Sequence, residues 1–228
     1  MPVASVPRDM RPADVSRGMI ADRVRSADYG HGVLDPVGKS GFLVYLMGSY
    51  RRHTVAEMTD SETVPEAPMG SWDDTTGEYS ETDCIELLVT IRDSLRVTHD
   101  LNAYLATDVG IERSDIDAAT QSIEFAKASN VVAFVAPKVG KNIGVGVEIG
   151  SVLEYFKQTD ETHLRRVELY QERGLSSATL EDGVGLRNAG RWDVGWVMWE
   201  TPETVVYAIA EFAADVANME RADELRFL

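Results

Sequence analysis

Lys141-Asn142-Ile143-Gly144-Val145-Gly146-Val147-Glu148-Ile149-Gly150 stands between a short β-branched apolar run, Asn130 to Ala136, and apolar residues at helical spacing, Val152, Leu153, Tyr155 and Phe156. The run is long enough for a buried parallel strand and too short for a helix. The stretch therefore reads as strand, glycine-rich turn and helix, the unit in which α/β proteins place small-molecule sites at the carboxyl ends of strands. Gly144, Gly146 and Gly150 follow G-x-G-x-x-x-G, one residue longer than the dinucleotide fingerprint, so no Rossmann cofactor site is expected. Such glycines allow close backbone approach and leave N–H groups at a helix start that suit a sugar, phosphate or carboxylate. Glu148, read as about one turn into the helix, would be held ionised by the positive end of the helix dipole. An ionised carboxylate beside a sugar can attack or stabilise an oxocarbenium-like centre. In isolation the same residues also suit a tight turn followed by an ordinary helix glutamate.

Outward from this unit the chain alternates. Phe42 to Met47 reads as a first strand and Glu81 to Arg96 as a helix with Ile85, Leu88, Ile91 and Leu95 inward. Leu101 to Thr107 reads as the next strand, with Asp108 at its end as a turn residue or a contact to a ribose hydroxyl. Ser114 to Ser129 reads as a helix capped by Ser114 or Asp115, burying Ile116, Ala119, Ile123 and Ala126 and projecting Ser122 beside that stripe. The Ser122 hydroxyl would contact ligand or bond back to the previous turn. Leu164 to Gln171 reads as a fourth strand whose arginines suggest an edge, and a short capped turn is expected near Ser177 to Asp182. Arg191 to Glu200 reads as a buried fifth strand, its three tryptophans fitting a core better than a stacking platform. Thr201 caps a last helix with Pro202 at its first position and Val205, Ile209, Phe212 and Val216 inward. Five strands alternating with helices imply an α/β fold with a mostly parallel sheet covered on both faces.

The stretch Asn142 to Gly150 resembles the D/S-x-G-x-G-x-E-[IL]-G signature of the nucleoside 2-deoxyribosyltransferase superfamily, which includes the 2′-deoxynucleoside 5′-phosphate N-hydrolases. Tyr45-Leu46-Met47-Gly48-Ser49-Tyr50-Arg51 is similar to the family's Y-[LF]-x-G-[PS] segment, and Ser129-Asn130-Val131-Val132 falls in the family's order. The resemblance covers residues 42 to 156. It implies a flavodoxin-like, doubly wound five-stranded sheet in the order 2-1-3-4-5. It also implies that Glu148 is the nucleophile at C1′ and Asn142 a positioning group. Gly48, Ser49, Tyr50, Arg51, Gly144 and Gly146 would then cradle the sugar and phosphate. Two positions depart from the family pattern: Asn142 stands where Asp is frequent, and Ser122 (or Gln121) where a helix Asp is found. TIR-type NAD glycohydrolases share the architecture with a helix glutamate at a comparable place, which makes NAD cleavage a second enzymatic reading. A nucleotide sensor or interaction domain that kept the pocket without turnover is a third.

The chain has 228 residues, 44% of them hydrophobic, enough for one α/β domain with terminal extensions. We expect an N-terminal helical extension over 1–40, the α/β domain over 41–219 with a long polar insertion at 53–80, and an acidic tail over 220–228. In the extension, Asp14 is placed to cap a helix bearing Val15, Met19, Ile20 and Val24, packed on the main domain or a second subunit. His31 is expected in a turn, and His53 has nothing to fix it at the site. Arg51 and Arg52 are either a bidentate phosphate clamp or solvated. The insertion is expected as a mobile acidic loop or a lid carrying Trp72, with Asp73, Asp74 and Glu78 solvated rather than binding metal.

With 38 acidic against 22 basic residues the net charge is −16, which argues against a nucleic-acid surface. Only five of the basic residues are lysines, the composition of a protein from a salt-rich, halophilic cytosol. Cys84 is alone and no long apolar run occurs, so a cytoplasmic protein off the membrane is expected. No metal or cofactor is anticipated. The expected partners are a small-molecule nucleoside or nucleotide and further copies of the chain, as a homodimer or higher homo-oligomer.

Overall fold

A computed structural model describes residues 11–26, 42–48, 81–111, 115–137, 143–175 and 194–225. Among them, five strands form one parallel sheet: β1 (Leu43–Gly48), β2 (Asn102–Tyr104), β3 (Val131–Ala136), β4 (Val167–Glu172) and β5 (Gly195–Trp199). The sheet order is 2-1-3-4-5, as the family resemblance implied. The fold is α/β, doubly wound and flavodoxin-like. β1 pairs with β3 from Val44↔Val131 to Gly48↔Val135, and β3 with β4 from Val132↔Val167 to Ala136↔Gln171.

Because successive side chains of a strand point to opposite faces, the two faces hold separate cores. On one face Tyr45, Met47, Val132, Phe134, Val167 and Leu169 pack under α1 (Arg17–Ser26), α4 (Ala118–Ala128) and α5 (Ile143–Thr159). On the other, Val44, Leu46, Val131, Ala133, Val135 and Tyr170 pack under α2 (Glu81–His99) and α6 (Pro202–Arg221). A short α3 (Ala106–Val109) follows β2, so the chain bends into a helical turn where the sequence reading continued the strand to Thr107.

Several local expectations change. Asp14 caps not α1 but the preceding 3₁₀ turn, Pro12–Asp14, by accepting from Arg11 N–H at 2.9 Å; Ser16 Oγ accepts from Met19 N–H at the start of α1. α1 sinks Ile20, Ala21 and Val24 into the domain core. The cap of α4 is Asp117, which accepts from Thr120 N–H at 3.0 Å, and its buried set centres on Gln121, Ser122, Phe125 and Ala126. Thr201 caps α6 and Pro202 opens it, as its sequence indicated.

β4 lies inside the sheet despite its arginines, because Arg166 precedes the strand and is neutralised below it. β5 is an edge strand with Gly195 and Met198 exposed rather than a buried one, although Trp199 is buried and donates Nε1–H to Tyr170 O at 3.1 Å. Within the expected acidic tail, Glu220 and Leu225 are buried while residues 221–224 are exposed. Glu220 pairs with Arg166 and accepts from Asn130 Nδ2 at 2.8 and 3.0 Å, while Asn130 Oδ1 accepts from Leu43 N–H at 2.9 Å and from Arg17. This buried cluster ties α1, β1, β3, β4 and α6 together at the amino edge of the sheet.

Candidate functional site

The order 2-1-3-4-5 puts the topological switch between β1 and β3. The chain leaves β1 for the face carrying α2 and leaves β3 for the face carrying α5. Two neighbouring strands whose continuations part to opposite faces open a crevice at their carboxyl ends, the usual ligand position of such sheets. The sequence elements singled out for function converge on it. Gly48 ends β1, and the glycine-led stretch follows β3.

Gly144 and Gly146 are not in a loop. α5 begins at Ile143, so they are its second and fourth residues, and only Gly144 falls among the leading residues whose N–H groups have no intrahelical acceptor. The proposed cradle is thus a helix N-terminus. Glu148 is the sixth residue of the helix, in its second turn, farther from the positive end than the sequence reading assumed. The dipole fades beyond the first turn, so it contributes little to holding this carboxylate ionised.

Helical periodicity sets the direction of Glu148. Ile149, Val152, Leu153 and Phe156 are the buried face of α5, and half-buried Glu148 lies on one flank of it. Tyr155, two turns on, shares that flank and takes the ammonium of Lys127 over its ring at 5.5 Å from the centroid. Lys127 belongs to α4, which packs over β1, so the Glu148 flank looks toward α4 and the switch.

Gly48 has a structural reason of its own. A Cβ there would meet Leu88 Cδ1 at 2.7 Å, so α2 packs against bare backbone at the end of β1. Ser49, Tyr50, Arg51, Arg52 and Asn142 lie outside the described residues, as do His31, His53, the 53–80 insertion with Trp72, and the turn expected near Ser177.

Asp108 and Ser122 are already engaged. Asp108 Oδ1 accepts from Arg92 Nη1 at 2.7 Å and Oδ2 from Leu105 N–H at 2.9 Å, with Arg96 Nη2 at 3.8 Å. Burial pushes its pKa up against the pull of Arg92 and the Leu105 N–H. The carboxylate is a strut joining α2 to the β2–α3 turn, which accounts for it without a ribose. Ser122 Oγ donates to Ala118 O at 2.9 Å, the back-bond to the previous turn.

Sequence reasoning missed two features. The Arg166–Glu220 pair had a signal, since Glu220 continues the stripe of Val216 by one turn, but a carboxylate there reads as the end of the helix. Gln171, 2% exposed at the carboxyl end of β4, had none. Among the described residues no group of three His, Cys, Asp or Glu is placed to hold a metal ion, and no helix is long and apolar enough to cross a membrane.

No curated protein matches the chain. One family does, over residues 17–228, from the first residue of α1 to the last of the chain, which makes α1 part of the family domain rather than an appendage. The chain belongs to this family, DUF7509, a domain of unknown function.

Proposed function

We propose that the protein cleaves, or transfers at, the N-glycosidic bond of a nucleoside or (deoxy)nucleotide, with Glu148 as nucleophile. One observation carries the reading: the glycine-led helix bearing Glu148 starts at the carboxyl end of the strand beside β1, and its Glu148 flank looks toward the switch. A carboxylate oxygen of Glu148 attacks C1′, and the C1′–N bond breaks with its electron pair going to the base. Water or a second base then displaces the carboxylate from the glycosyl ester. Bare N–H groups at the start of α5 would take the sugar or phosphate oxygens, and Asn142 and Gly48 to Arg51 would complete the cradle. The associated setting is a homodimer in a salt-rich cytoplasm.

The sensor reading has its own support. Asn142 and Ser122 stand where acids serve proton transfer in similar proteins, and the Ser122 hydroxyl is given to Ala118 O. Incubation in molar salt with nucleosides, nucleoside monophosphates and NAD, followed by chromatography, separates the readings. Free base from a nucleoside or monophosphate supports the proposal, nicotinamide from NAD supports the TIR-like alternative, and binding without any release leaves a sensor.

A further inference from the structure

We draw no further inference here: the strongest candidate, the outer surface of α2 and α6 that exposes Val97 and Tyr207, the latter edge-on to His99 with ring centroids 5.5 Å apart, carries nothing because nothing in the structure shows what covers it.

Discussion

Glu168 and Tyr170 stand two residues apart on β4, and their side chains meet on the α6 face, the phenol donating to Glu168 Oε2 at 2.5 Å. Burial pushes the Glu168 pKa above its ordinary value of 4.5; the Tyr170 hydrogen bond pulls it back, and the Asp215 carboxylate adds to the rise. Gly195 faces it across the strand pair, where any Cβ would collide with Glu168 Oε1. With the folded pKa above the unfolded one, the folded state holds the proton more tightly, and stability falls as pH rises from about 4.5 through the folded value. Glu168→Gln accepts the same hydrogen bond without the charge. It should melt above the wild type at pH 7, with the gap closing as pH approaches 4.5; a gap independent of pH would refute the burial argument. Residue-scale features of this kind were the least legible in the sequence. Asp117, Asp115 and Ser114 are all good caps by type, and only the fold shows that the Asp117 carboxylate reaches Thr120. The roles of Asp108 and Ser122 were likewise set by partners distant or hidden in sequence, Arg92 and the Ala118 carbonyl.

Among the elements, β1 and β3 were readable as continuous apolar runs, since both of their faces are buried, and α2 and α6 as apolar stripes of helical period. β4 and β5 were misjudged in opposite directions: the tryptophans made β5 read as buried although it is the edge strand, and the arginines made β4 read as an edge. Charge near a strand reads as exposure, but Arg166, 1% exposed, lies before β4 and pairs with Glu220, 3% exposed, at the amino edge of the sheet. A buried pair of this kind is costly to break and nearly neutral to replace. Arg166→Met leaves the Glu220 carboxylate buried without its cation and should cost about 3–5 kcal/mol, measured by denaturant unfolding in salt. The double variant Arg166→Met/Glu220→Leu should recover much of that loss. If the two substitutions simply add, the side chains are not coupled and the cluster is not what joins α6 to the sheet.

At the scale of the whole molecule, the α/β class followed from alternation of strand and helix patterns, whereas the order 2-1-3-4-5 followed only from family resemblance, since periodicity says nothing about neighbours. The placement of Glu148 near the switch depends on that order, so the site was legible as far as the resemblance reached and no farther. The burial of Gln171 arises from pairing between strands distant in sequence and had no linear signature. The net charge of −16 is also a whole-molecule property. Mutual repulsion of the acidic surface is screened over about 3 Å in 1 M salt against about 10 Å in 0.1 M, so the melting temperature should rise steeply with KCl. An unchanged melting temperature between dilute buffer and molar KCl would remove the halophilic reading. The most direct measurement of the central claim sets Glu148→Gln beside the wild type, recording base release from the best substrate of the panel and thermal melting on the same two proteins. The account predicts that Gln, which keeps the size and loses the nucleophilic anion, abolishes release while the melting temperature stays within a few degrees. Release by the Gln variant at a rate close to the wild type would contradict it.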